Sequence, residues 1–140
     1  MVNSQFSVSI HILTLLATDP TKVFASSYIA SSVNTNPALI RKLVSKLNTA
    51  GFVASKWGPE GGSYLSKPAN EIPLSEVFAA VIENGLYALH SDCNPLCPVG
   101  SVIEKSLRRT FSQWESGLLS EMGKKTIADV LASLTAAPKA

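Results

Sequence analysis

The four residues Asn34-Thr35-Asn36-Pro37 constrain this chain more than any other feature. Asparagine can cap a helix by accepting a bond from a free N–H of the next turn. Proline fits the first helical position, where no N–H is needed. The run therefore closes one helix and opens another across a turn of about three residues. Upstream, Ile29, Ala30 and Val33 recur at helical spacing behind Ser26 and Ser27, either of which can serve as the cap. Downstream, Ile40, Leu43, Val44 and Leu47 mark the inward stripe of a helix reaching Ala50, and Gly51 suits its left-handed terminus. Arg41, Lys42, Ser45 and Lys46 are left facing away from the core. Two short helices joined by a tight turn, the second basic on its outer face, make a helix-turn-helix candidate.

The residues after Gly51 strengthen that reading. Phe52 to Trp57 reads as a strand and Ser63 to Ser66 as its partner, with Gly58-Pro59-Glu60-Gly61-Gly62 as the turn between them. A two-stranded hairpin directly after a helix-turn-helix is a wing. Before the pair of helices, Phe6, Val8, Ile12, Leu15 and Leu16 outline a first helix that must stop at Asp19-Pro20, and Val23-Phe24 is short and extended. After the wing, Pro73-Leu74-Ser75-Glu76 opens a fourth helix with Leu74, Val77, Phe78 and Val81 inward.

The segment Glu83 to Pro98 is irregular and carries His90, Cys93 and Cys97. From Val99 a long helix is expected, its apolar stripe running through Ile103, Leu107, Phe111, Trp114, Leu118 and Met122. At ~1.5 Å per residue it reaches ~36 Å, more than a small winged-helix body can cover, so the stripe calls for a partner surface. Thr126 and Asp129 resemble a capping box for a last helix carrying Ile127, Val130, Leu131 and Leu134, followed by a frayed tail over 136–140. The organisation expected is a DNA-binding unit over 1–82, a cysteine-containing loop over 83–98, and a dimerisation helix with a C-terminal helix over 99–140. The fold class is mainly α with a small β-hairpin wing.

Charge supports the same division. The whole chain is only +2, but residues 33–67 hold Arg41, Lys42, Lys46, Lys56 and Lys67 against Glu60, a net of +4. Concentrated positive charge in an otherwise neutral or acidic chain is the footprint of a polyanion partner. No apolar run approaches the ~20 residues of a membrane span, and the N-terminus lacks the pattern of a signal peptide, so a cytoplasmic protein is expected. An enzyme is disfavoured. There is no nucleophile–base–acid set, P-loop or dinucleotide fingerprint, and Cys-x3-Cys is not the Cys-x2-Cys redox motif.

Trp57-Gly58-Pro59-Glu60-Gly61-Gly62-Ser63-Tyr64-Leu65, between a helix-turn-helix and Leu74-Ser75-Glu76-Val77, resembles the wing of the Rrf-type winged-helix regulators. Val33 to Leu47 together with Cys97-Pro98-Val99-Gly100 is most similar to their YwnA-like branch. The resemblance implies bacterial homodimeric regulators, usually repressors, that bind palindromic double-stranded DNA and pair through the long helix. Their cluster-binding members carry three cysteines before that helix; here there are Cys93 and Cys97, with His90 as the sole nearby supplement. No iron–sulfur cluster and no other metal is therefore expected.

On that basis the DNA-binding set is Thr35, Asn36, Ala38, Arg41, Lys42 and Ser45 on the recognition helix, with Lys46 further along for a phosphate. Lys56, Trp57, Gly58, Gly61 and Gly62 would act from the wing, with Lys56 and Trp57 reaching the minor groove. Four or five basic contacts per subunit, doubled in a dimer, give ~8 phosphates and a log–log salt slope near −7. Cys97, ahead of Pro98 at the start of the long helix, sits where free N–H groups and the helix dipole lower a thiol pKa. Oxidation of Cys97, with Cys93 as partner, would reshape the loop and release DNA. The dimer contacts expected are Val99, Ile103, Leu107, Phe111, Trp114 and Leu118. The competing reading is a winged-helix dimer whose main partner is a regulatory protein or a small molecule.

Overall fold

The computed structural model describes residues 4–83 and 85–136. Helix α1 (Gln5–Ala17) buries Ile12, Leu13 and Leu16, and the Thr18 hydroxyl donates to the Leu15 carbonyl where the helix ends ahead of Pro20. The helix-turn-helix consists of α2 (Ser26–Val33) and α3 (Pro37–Thr49). Between them Asn34 takes a left-handed conformation, φ 62°, and the Asn36 side chain accepts from the Leu39 N–H at 2.8 Å. Pro37 is the first residue of α3, and Gly51 comes just past its end at φ 87°. Ile40, Leu43 and Leu47 are fully buried.

The cap of α2 differs from expectation. Ala25 holds that position with no side-chain bond, and Ser26 and Ser27 are already inside the helix. The cause is a neighbouring strand. Phe24 and Ser63 exchange both backbone hydrogen bonds at 2.8 Å, which holds the chain extended up to Ala25 and leaves the turn into the helix there.

Strands β1 (Val53–Lys56) and β2 (Gly62–Leu65) form the antiparallel wing, with Val53 opposite Leu65 and Lys56 opposite Gly62. Pairing therefore ends at Lys56, and Trp57 belongs to the turn rather than the strand. Glycine is required at two points of this wing. A Cβ on Gly61 would overlap the Lys56 carbonyl, and one on Gly62 would overlap that of Phe24.

Helix α4 (Leu74–Val81) packs Val77 and Val81 onto the core. Helix α5 (Ile103–Met122) has no buried residue. It begins four residues later than expected, so Val99 lies in a turn and not on the helix. Gly100 packs its backbone against Asn94, and Val102, with φ −126°, interrupts the helical run. Helix α6 (Ile127–Ala136) returns to the first part of the chain. Its Thr126–Asp129 capping box closes reciprocally, the Thr126 N–H donating to Asp129 at 2.9 Å and the Asp129 N–H to Thr126 at 3.3 Å. Ile127 is fully buried, and its N–H donates to the Ile72 carbonyl. The last helix, placed by the sequence in the third segment, thus lies against α1 and closes the core of the first. From residue 137 on, the tail expected to fray lies outside the described residues.

Candidate nucleic-acid interface

Helix α3 and the wing enclose a groove of about 1000 Å³. One wall is the outer face of α3, with Arg41, Ser45, Asn48 and Thr49; the other is Lys56, Trp57, Gly58, Gly61 and Gly62 of the wing. The packing that buries Ile40, Leu43 and Leu47 obliges Arg41 and Ser45 to face this way, since positions one and two residues further on lie on another side of the helix. Among the described residues, the lining includes Arg41 and Lys56 and no carboxylate. The indole of Trp57 is 93% exposed and stands just past the last paired residue of β1.

One part of the groove lining was not anticipated from sequence. Ala25, Ser26 and Ser27, at the N-terminus of α2, line it. The first amides of a helix have no intrahelical acceptor, and no side chain caps this one. They add hydrogen-bond donors to a surface already basic. The signal was the serine pair itself, assigned to capping instead of to contact.

Thr35, Asn36, Ala38 and Lys42 lie at the start and outer side of α3, outside the groove lining; all but the half-buried Thr35 are exposed. Contrary to the sequence pattern, Lys46 does not face outward with Arg41 and Ser45. Its side chain is only 18% exposed and turns toward α4, with its ammonium 3.0 Å from Glu83, 3.4 Å from the Val81 carbonyl and 3.5 Å from the Gln5 amide oxygen. It occupies the boundary of the helix face rather than the outer surface, where Glu83 and the α4 terminus hold its ammonium.

Both cysteines are free thiols and half-buried. The backbone N–H groups of Gly100 and then Val99, beside the Cys97 sulfur, hold its pKa below the usual thiol value. The donors belong to the turn at 98–102, not to the first turn of α5, so a local arrangement of amides replaces the expected helix dipole. Tyr87 of the preceding segment packs on α5, its ring 4.8 Å from Phe111 and 6.0 Å from Trp114. The expected dimer residues Ile103, Leu107, Trp114 and Leu118 are 37–56% exposed and Val99 is 61% exposed; Phe111 is half-buried, with Tyr87 packed on it.

The Rrf2 family, described as iron-dependent transcriptional regulators, matches residues 2–133. The chain belongs to the Rrf2 family. YwnA of Bacillus subtilis, assigned as an HTH-type transcriptional regulator, is 39% identical over 132 residues, covering 94% of this chain and 97% of that protein. A crystal structure of a protein assigned as DNA-binding is 35% identical, with a TM-score of 0.74 over 91% of this chain and 99% of that one. The fold is shared with CymR, the global cysteine regulator of B. subtilis, at 18% identity and a TM-score of 0.69 over 94% and 96% of the two chains. This Rrf2 protein is thus a member of a family of transcriptional regulators and not of enzymes, and the family implies DNA binding.

Iron is a separate question. Among the described residues no group of three or more His, Cys, Asp or Glu side chains is placed to hold a metal ion. The loop supplies two thiols where an iron–sulfur cluster needs about four ligands. Among the described residues, Cys93 and Cys97 do not by themselves make up that ligand set within one chain. Among the described residues no helix is long and apolar enough to cross a membrane.

Proposed function

We propose that this Rrf2 protein is a homodimeric, sequence-specific DNA-binding repressor of the cytoplasm that works without resident iron and is switched by thiol oxidation. The observation that carries the reading is the groove between α3 and the wing, basic and free of lining carboxylates among the described residues, with an exposed indole at its mouth. An α-helix fits the major groove, so α3 would insert there, and Arg41 has the donor geometry for a bidentate contact to guanine. Lys42 and the amides and hydroxyls of Ser26 and Ser27 are suited to phosphates. Lys56 and Trp57 would track the adjacent minor groove, whose width varies with sequence.

Dimerisation is supported by α5, which presents an apolar stripe to solvent along about 30 Å. Two copies paired there would place two α3 helices on a palindromic site. Repression is the sense carried over from the family resemblance. The thiol switch is supported by the amides beside Cys97, which favour its thiolate, the form that reacts with oxidants.

Selection from random DNA with the reduced protein, repeated after mild oxidation, tests this reading. A palindromic motif lost on oxidation, with Cys97→Ser insensitive, is the expected result. A motif indifferent to oxidant would remove the thiol switch and leave the regulator. An intact fold with no enriched motif would replace the regulator by a module that binds a partner protein.

A further inference from the structure

The ion pair between Lys46 and Glu83 differs in kind from its counterparts. Of the three ion pairs among the described residues, Arg108–Glu104 and Lys124–Glu121 each close within one helical turn. Lys46–Glu83 joins the last turn of α3 to the first residues beyond α4. Val81 ends α4, where a carbonyl lacks an intrahelical donor, and the Lys46 ammonium lies 3.4 Å from it. Ile82 then leaves in an extended conformation, φ −99° and ψ 112°, which brings Glu83 round to the same ammonium.

The two partners are unequally held. Lys46 is 18% exposed and has further contacts to Val81 and Gln5, whereas the Glu83 side chain is 70% exposed. Glu83 also opens the irregular segment that carries Cys93, Cys97 and, through Tyr87, the contact with α5. The Lys46 hydrogen bond, then the charges of Lys46 and Lys42, hold the Glu83 carboxyl below its usual range, so it stays ionised at neutral pH.

We infer that Glu83 is a positioning residue for DNA recognition, clamping Lys46 so that the setting of α3 depends on the conformation of the cysteine-bearing segment. The inference rests on the reading of α3 as the DNA-contacting helix. Base readout by a fork such as the Arg41 guanidinium requires a constellation held to within ~0.5 Å, so a tether at one end of α3 bears on discrimination more than on stability. A rearrangement that withdraws Glu83 releases the C-terminal end of α3 while leaving Ile40, Leu43 and Leu47 in the core.

The test is a double-mutant cycle on the full chain with E83Q, K46M and the double variant. Each is titrated against the selected operator and against unrelated DNA between 50 and 200 mM salt, with melting temperatures recorded. E83Q is expected to lower operator affinity by roughly two- to five-fold, the upper part of what a largely exposed ion pair contributes. Affinity for unrelated DNA, the salt slope and the melting temperature should be unchanged, and the double variant should be no worse than K46M alone. Operator binding by E83Q equal to the parent would overturn the clamp, as would strictly additive losses or a fall in melting temperature that accounts for the loss. Tighter binding with a steeper salt slope would show instead that Glu83 merely competes with phosphate for Lys46. Failure of the parent chain to bind any DNA would defeat the reading beneath the clamp, an outcome distinct from all of these.

Discussion

Helices α1 and α5 both carry apolar residues at helical spacing, α1 on nearly all sides and α5 along one stripe, yet they meet opposite fates. In the 13 residues of α1, six are buried, and the helix touches α2, α3, α4, α6 and the wing. In the 20 residues of α5 none is buried, and its apolar stripe has α4 and Tyr87 as its main neighbours. A regular apolar period is satisfied only where the chain supplies surfaces on both sides of it. For α1 the topology brings four helices around one axis. For α5 the described residues supply α4 on one side and Tyr87 along the stripe, and most of the stripe stays exposed.

The comparison predicts unequal costs of truncation. Leu13→Ala, at a fully buried position, should destabilise the fold by about 2–5 kcal/mol in denaturant titration. Leu107→Ala, at a position 37% exposed, should cost less than about 1 kcal/mol at dilutions where the chain is monomeric. Equal costs would erase the distinction between the two helices. Leu107→Glu combined with Leu118→Glu should leave the melting of the monomer nearly unchanged and abolish self-association in sedimentation velocity; a dimer that persists would mean the stripe pairs with something else.

Smaller effects probe the core and the cysteine loop. Asn36→Ala removes the one side-chain bond that caps α3 and should cost about 1 kcal/mol in thermal unfolding. Ser9 is fully buried on α1, and its hydroxyl has no hydrogen-bond partner among the described residues. Ser9→Ala should therefore stabilise the protein by about 1 kcal/mol, and a loss of stability would reveal a bond to that hydroxyl. For Cys97 the sign is that the thiolate is favoured. Its alkylation rate should rise with pH about a midpoint below the ~8.5 of a free thiol. A midpoint above that value would remove the role of the Gly100 and Val99 amides.

The core and the order of elements were legible because local signals there agreed with the tertiary fold. Asn36-Pro37, Gly51, the wing glycines and the Thr126–Asp129 box each carry a conformational requirement that only a few residue types meet. Legibility failed where one element acts on another distant in sequence. Ser63 sets the start of α2 through Phe24, and Glu83 draws Lys46 off the outer face. Lys46 shows the limit well, since at its position the helical period permits either face and only the α4 terminus decides. The start of α5 departs from the sequence pattern for a related reason, because Val99 continues the apolar spacing while Gly100 and Val102 leave the helix.

Removing Lys46 from the phosphate contacts changes the quantity that tests the central claim. Arg41, Lys42 and Lys56 remain as the cationic contacts of each subunit, whether to base edge, groove or phosphate, so a dimer should displace about six counterions and give a log–log salt slope near −5 rather than −7. The direct measurement is the operator affinity of the reduced protein across a salt series. A slope close to −5, with unrelated DNA bound at least ~10³-fold more weakly, is the predicted result. A slope shallower than about −2 on the best selected site would contradict the assignment of the α3–wing groove as a DNA-binding surface.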